Sequence, residues 1–177
     1  MGSANSVLPG SVCQIGYVVP DLDDTVSRWL QMGVGPWFVI RGLVQDVVYR
    51  GEPCEVNLSL ALSNSGDLQI EVIQQHGDTP SVFTEFLHAR GGGFHQLAYW
   101  ATDFDDATAR LADAGWPKIW CGGQAGGVRF AYFEPPAGAA VVEIMELTDA
   151  SSGMAELVRE AEAGWDGSDP IRELGGR

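Results

Sequence analysis

The stretch QIGYVVPDLDD at residues 14–24 recurs 82 residues later as QLAYWATDFDD at residues 96–106. Continued to the glycine that ends each copy, seven of the 20 positions from 14 to 33 are identical, where chance would give about one. A repeat present twice indicates two copies of one supersecondary unit, because solenoids usually need three or more repeats.

Each copy predicts a buried strand followed by a helix. The apolar, β-favouring runs at 13–19 and 95–101 are typical of strands buried on both faces. Asp21 and Asp103 follow these runs as good helix N-caps, with further acidic residues in the first turn. The glycine that closes each copy suits the end of the helix.

Three shorter strands are predicted after each helix, at 37–41, 56–63 and 68–74 in the first half and at 118–121, 128–133 and 140–147 in the second. A further amphipathic helix near the C-terminus is expected to be capped by Ser151 or Ser152 and to end near Gly164. The predicted fold class is α+β, with two tandem βαβββ modules and a C-terminal helix. The predicted division is a disordered N-terminus (1–11), the first module (12–78), a linker helix and Gly-rich turn (79–93), the second module (94–148), and the C-terminal helix and tail (149–177).

Composition narrows the function classes. The net charge of −14 with no basic stripe disfavours nucleic-acid binding. The chain shows neither an apolar run of about 18 residues nor a signal-peptide pattern. Its three cysteines are widely spaced, as free thiols in a reducing compartment would be. A cytoplasmic protein without membrane contact is expected.

Two glutamates stand out because each interrupts an apolar strand. Glu71 lies in the last predicted strand of the first half, and Glu143 occupies the matching strand of the second. A carboxylate buried there needs a partner, a hydrogen bond or a cation. The alternative is that both strands are half exposed and the glutamates face water, although two glutamates at matching places favour a shared role.

The order of these elements resembles the vicinal oxygen chelate superfamily, which includes glyoxalase I, methylmalonyl-CoA epimerase, extradiol dioxygenases and bleomycin-resistance proteins. The resemblance covers about residues 12–148 and is carried by 14–24, 49–51, 68–74, 91–95 and 142–144. It implies curved mixed sheets around a cleft. It also implies a divalent metal held by one side chain from the first and last strand of each module.

Transferred to this chain, those four positions are Gln14, Glu71, Gln96 and Glu143. Most metal-binding members have histidine at one or both positions that are glutamine here. The nearby His95 is shifted by one residue, which turns it to the opposite face of a regular strand. A local bulge could restore it, but the repeat alignment favours Gln96 at the ligand position. Four oxygen donors would suit Mg²⁺, Mn²⁺ or Ca²⁺. Without a metal, two carboxylates in one apolar cleft would serve as proton acceptor and proton donor. The metal-free site is favoured, and no cofactor is required by it.

Aromatic residues on the predicted strands indicate the ligand. Trp37, Trp100, Phe130 and Tyr132 are candidates for binding a bulky apolar substrate, although such rings also fill cores. His95 is a candidate substrate contact or a structural histidine at a strand start.

The sequence therefore predicts an enzyme that moves a proton next to a carbonyl. An isomerase or epimerase is favoured over a lyase, acting on a small molecule, and the chain is expected to form a homodimer. The alternative is a binding protein that sequesters an apolar small molecule without catalysis, like the bleomycin-resistance relatives.

Overall fold

The computed structural model describes residues 6–124, 127–136 and 140–175. The first module follows the predicted order, and its elements are β1 (Gln14–Val18), α1 (Leu22–Gln31), β2 (Trp37–Tyr49), β3 (Glu52–Ser65) and β4 (Leu68–His76). Asp21 caps α1 as predicted, since its carboxylate accepts the Asp24 backbone N–H at 2.9 Å.

The second module repeats this plan after a linker helix. Its elements are α2 (Val82–Arg90), β5 (Gly93–Ala101), α3 (Phe104–Asp113), β6 (Lys118–Gly122), β7 (Phe130–Phe133) and β8 (Val141–Glu146). Asp103 caps α3 through the backbone N–H of Asp106, also at 2.9 Å. The two copies of the repeat thus adopt the same local structure, down to the capping bond.

A C-terminal extension adds α4 (Asp149–Glu162) and β9 (Ile171–Glu173). The cap of α4 is Thr148, and the prediction of Ser151 or Ser152 is wrong. Ser151 occupies the third helical position and completes a capping box, so that its hydroxyl accepts the Thr148 backbone N–H at 2.8 Å. The buried hydroxyl of Ser151 is therefore used to start the helix.

The strands form one nearly closed, barrel-like sheet in the order β3-β4-β1-β5-β8-β7-β6-β2-β9, and β2 also pairs with β3. The two modules meet where β1 and β5 run antiparallel at the centre of the sheet. One edge of β2 is shared, because residues 47–49 pair with β6 and residues 37–39 pair with β9. The α+β class predicted from the repeat is confirmed.

Apolar side chains fill both faces of this sheet. The concave face carries a cluster that includes Leu58, Phe83 and Trp120, while α1 and α3 each cover a separate cluster on the convex face. Tyr17 and Tyr99 lie on the helix side, as the alternation of the repeat predicts. The concave face is therefore left to form the cleft.

Two ends of the chain differ from simple expectation. Residues 1–5 of the segment predicted to be disordered lie outside the described residues, whereas Val7 and Leu8 pack against the core beneath α3. At the other end, α4 packs on β3, where Val158 is fully buried against Phe38 and Leu62. No helix in the described ranges is both long and apolar enough to cross a membrane.

Candidate active site

Strand register brings the four predicted site residues to the middle of the sheet. Gly16 of β1 is paired with Glu71 on one side and with Gln96 on the other. Ala98 of β5 is paired with Gln14 on one side and with Glu143 on the other. Gly16 therefore lies between Glu71 and Gln96, and Ala98 lies between Gln14 and Glu143. The duplication places Gly16 and Ala98 at equivalent positions.

The glycine at this crossing is required by the Gln96 side chain. A Cβ atom added to Gly16 would lie 2.2 Å from the Gln96 carboxamide, well inside van der Waals contact. Gln96 therefore lies across β1, is completely buried, and reaches the far side where Glu71 stands. Any side chain at position 16 would prevent this.

Two separate sets of hydrogen bonds lie within the cluster. Gln96 Nε2 donates to the Tyr132 hydroxyl at 3.1 Å and, more weakly, to a Glu71 carboxylate oxygen at 3.4 Å. Gln14 Nε2 donates to Gln69 Oε1 at 2.8 Å. Tyr132 is the register partner of Glu143 across β7 and β8. The structure thus brings together Gln14, Glu71, Gln96 and Glu143, and adds Tyr132 and Gln69 to them.

His95 lies behind this cluster because β5 is irregular at that point. Gly16 pairs with Gln96 while the next residue, Tyr17, pairs with Phe94, so His95 drops out of the register. The expectation that one residue of shift turns the histidine away from Gln96 is therefore wrong. His95 Nδ1 lies 2.5 Å from Gln96 Oε1.

The surroundings of His95 also assign it a different role from substrate contact. Its ring packs edge-on against Phe86, with ring centroids 4.8 Å apart, and it is absent from the residues that line the cleft. Burial lowers the pKa of His95, which favours the neutral ring at pH 7. The contact with Gln96 Oε1 holds the amide so that its NH₂ group points to Glu71 and Tyr132.

Electrostatics of the pair follow from burial. Desolvation raises the pKa of Glu71 from 4.5 to about 7. Desolvation, and then the Glu71 charge, raise the pKa of Glu143 well above its usual range, while the neighbouring Tyr132 and Gln96 oppose the shift. Burial likewise raises the pKa of the Tyr132 phenol, so it stays protonated. The pair retains at least one proton near neutrality.

A cleft of about 410 Å³ has Gln14, Gln69, Glu71, Tyr132 and Glu143 at its floor. The predicted site residue Gln96 is fully buried behind them and does not line the cleft. The walls include Leu58, Leu60, Trp100 and Phe130, and α4 closes one end with a short row of residues that includes Met154. Of the predicted substrate contacts, Trp100, Phe130 and Tyr132 line the cleft.

Trp37 does not line the cleft, and its prediction as a substrate contact is corrected. The ring is fully buried on the convex face under α1, packed with Leu22, Val26 and Val39. Its indole N–H donates to the Val34 carbonyl at 2.9 Å. It is a core residue because the odd-numbered positions at the start of β2 face the helix.

The arginines near the rim are occupied by acidic partners. Arg41 pairs with Asp23 and Glu173 at 2.6 and 3.0 Å. Arg50 pairs with Glu85 at 3.0 Å and lies at 2.9 Å from a second carboxylate across the rim. These ion pairs tie β2 to α1, β9 and α2.

The residues do not fit the metal site that the family resemblance suggests. An amide ligand must present its oxygen, but Gln96 Oε1 is held by His95 and the NH₂ group faces Glu71 and Tyr132. The chemistry below therefore uses only the chain's own groups.

Two features of the site were missed by sequence reasoning. Gln69 is two residues before Glu71 in β4, so alternation would have placed it on the same face. The hydroxyl of Tyr132 was considered only as part of an aromatic wall. The sequence left three places open for the C-terminal helix, namely a sheet edge, the cleft and a second subunit, because an amphipathic helix does not specify the surface that it covers. In the structure, α4 lines the cleft.

Comparisons with known proteins agree with this architecture. The sequence profile of the glyoxalase/bleomycin resistance protein/dioxygenase superfamily matches residues 13–132, which confirms the resemblance seen in the sequence. No match was found among curated proteins.

Similar solved structures include methylmalonyl-CoA epimerase from Mycobacterium tuberculosis, with 22% identity over 85% of this chain and 96% of that one, at a TM-score of 0.57. A variant of the Streptomyces coelicolor methylmalonyl-CoA epimerase in complex with 2-nitronate-propionyl-CoA has 19% identity over 78% and 94% of the two chains, with a TM-score of 0.54. A hypothetical protein from Bacillus halodurans has 17% identity over 78% and 95%, with a TM-score of 0.55. At these identities the likeness shows the fold alone.

Proposed function

Because the chain belongs to the glyoxalase/bleomycin resistance protein/dioxygenase superfamily, we propose that it is an enzyme that transfers a proton next to the carbonyl group of a small apolar molecule. The reaction is an isomerisation or epimerisation, with a lyase reaction as the less favoured form. The observation that supports this most is a pair of carboxyl groups with raised pKa values at the floor of an apolar cleft.

The two carboxyl groups have different roles in the proposed step. Glu71, with its pKa near 7, is the base that removes a proton from the carbon next to the carbonyl. The C–H bonding electrons form a C=C bond while the carbonyl oxygen takes the proton of Glu143. Glu143 then takes back the proton of the enol oxygen as the C=O bond re-forms. One proton is delivered to the same carbon from the other face or to a neighbouring carbon, and no oxidant or reductant is needed.

The neutral groups hold this arrangement in place. Gln96 donates hydrogen bonds to Glu71 and to the Tyr132 hydroxyl, and Tyr132 is the strand partner of Glu143. His95 is a positioning residue that fixes the amide of Gln96. The apolar walls exclude water, which strengthens each electrostatic interaction within the cleft. A homodimer, as the family resemblance implies, is part of this proposal.

Proton transfer can be measured before the natural substrate is known. Bicyclic ketones such as 1-tetralone are incubated with the protein in D₂O, and deuterium uptake next to the carbonyl is followed by NMR. We expect uptake to rise with pH through about 7, since Glu71 must be ionised to act as a base. It should fall again at higher pH, where Glu143 loses its proton.

Variants separate catalysis from binding. Glu71→Gln and Glu143→Gln should each reduce the exchange rate by about 100-fold or more while ketone binding persists, because general acid–base groups contribute that much. Binding without exchange in the wild-type protein would instead support the sequestering protein, for which the apolar walls are the supporting observation. Exchange that survives in both variants would refute the assigned roles.

A further inference from the structure

The described residues that line the cleft include no positively charged side chain to meet an anion. Among the described residues that line it, the only charged side chains are Glu71 and Glu143. Arg41 and Arg50 lie outside the lining and are paired with carboxylates. A carboxylate or phosphate group that entered the cleft would lose its hydration and face two acids.

Two polar atoms of residues that line the cleft have no partner. Gln14 Oε1 and Glu143 Oε2 are fully buried and make no hydrogen bond, on residues that are only 3% and 5% exposed. Both residues line the cleft, and both are paired with Ala98, so they lie on one face with a single small residue between them. Buried polar atoms without partners are uncommon and destabilising, and at a cleft floor they indicate groups that a ligand completes.

A hydroxyl group supplies the donor that Gln14 Oε1 lacks. It can donate its hydrogen to Gln14 Oε1, while Glu143 keeps its single proton for the carbonyl oxygen of the same molecule. A ketone or an ether oxygen accepts hydrogen bonds only and would leave Gln14 Oε1 unsatisfied. The apolar walls contributed by Leu58, Leu60 and Phe130 then fit a ring system that carries the hydroxyl.

We propose that the ligand is an uncharged, ring-containing apolar molecule whose hydroxyl group donates to Gln14 Oε1 beside Glu143. This deepens the proposed function and rests on it only for the carbonyl at which the proton moves. A site that binds an acyl-CoA with a free carboxylate would need positively charged side chains for that carboxylate and for the CoA phosphates. The described walls of this cleft provide none.

Three probes of nearly equal shape test the proposal by calorimetric titration at pH 7. They are 2-naphthol, its methyl ether 2-methoxynaphthalene, and 2-naphthoate. We expect 2-naphthol to bind about tenfold or more tightly than the ether, because the ether leaves a buried acceptor unpaired. The carboxylate should bind at least as weakly as the ether.

A matched variant locates the effect. Gln14→Met removes the acceptor at similar size, and the ratio between the hydroxyl and ether affinities should fall to about 1. If this variant does not fold, the ranking of the three probes on the wild-type protein decides alone. The assay measures no proton transfer, so loss of the exchange activity described above would leave the ranking intact.

Several results would overturn the proposal. A hydroxyl-to-ether ratio near 1 in the wild-type protein, tighter binding of 2-naphthoate, or no binding of any probe would each contradict it. A strong gain in 2-naphthoate affinity on adding Mn²⁺, lost in Glu143→Gln, would also contradict it and would indicate a metal site of the family type.

Discussion

Replacing Glu71 by glutamine should make the protein more stable at neutral and alkaline pH. In the folded protein, desolvation raises the pKa of this carboxyl from 4.5 to about 7. Ionising it in the cleft therefore opposes folding. A shift of this size corresponds to at most about 3 kcal/mol of unfolding free energy. Glutamine has the same shape and keeps a polar group for Gln96, so the substitution removes mainly the charge.

The sign of the effect depends on pH. Between pH 4.5 and about 7 the folded state binds the Glu71 proton and the unfolded state does not, so wild-type stability falls as pH rises. Below this window the carboxyl is protonated in both states, and Glu71→Gln should match the wild-type protein. Above it, the variant should be more stable by up to about 3 kcal/mol, or by about 5–10 °C in melting temperature.

Urea unfolding followed by tryptophan fluorescence at pH 4.5, 6, 7 and 8 measures this difference. Glu55→Gln is the matched control, because Glu55 is exposed on β3 and its replacement should change stability by less than about 0.5 kcal/mol at each pH. The reasoning fails if Glu71→Gln destabilises the protein at pH 8, or if its gain does not grow with pH relative to Glu55→Gln.

Two further pairs of variants test the packing. Gly16→Ala should destabilise the protein by about 1–3 kcal/mol in urea unfolding, because the added Cβ collides with Gln96. The control Gly153→Ala lies in α4 with open space around it and should stabilise the protein by about 0.5–1 kcal/mol. Equal effects would contradict the passage of the Gln96 side chain across Gly16. Trp37→Ala should cost about 3–5 kcal/mol as a buried core ring, and Trp100→Ala should weaken 2-naphthol binding in calorimetry with a much smaller loss of stability. The assignment of Trp37 to the core is refuted if its loss mainly weakens binding.

The repeat was enough to predict the order of elements and to single out Glu71 and Glu143, whereas the family resemblance was needed to select Gln14 and Gln96. Strand alternation places Gln14 and Gly16 on one face, and the duplication transfers that face to Gln96 and Ala98. Local chemistry was equally sufficient for the helix starts, since both aspartate caps form the expected bond. These features depend on neighbours in sequence, or on a symmetry that is visible in the sequence.

Features that depend on distant contacts could not be predicted. Both faces of the sheet are buried, so alternation alone did not show that Trp37 faces α1 and not the cleft. The position of His95 depends on an irregularity in the pairing of β5 with β1, which leaves no mark in either strand. Strand β2 was predicted to end at residue 41 but extends to Tyr49. The second half of the strand is largely exposed and pairs with β3 through a turn at Arg50 and Gly51, so its sequence has no apolar run that marks a strand.

The two glutamines at family histidine positions change how the charge of the site is balanced. The half-buried Glu71 and the buried Glu143 share one cleft, and two carboxylates in such a place need either a cation or a retained proton. A bound cation would keep both ionised, and stability would then fall as the pH is lowered. A retained proton gives the opposite slope, with stability falling as the pH rises between 4.5 and about 7. Urea unfolding over this pH range, with and without added Mn²⁺, therefore distinguishes a bound cation from a retained proton. Only a cation site predicts that Mn²⁺ reverses the dependence of stability on pH, and that Glu71→Gln abolishes this reversal.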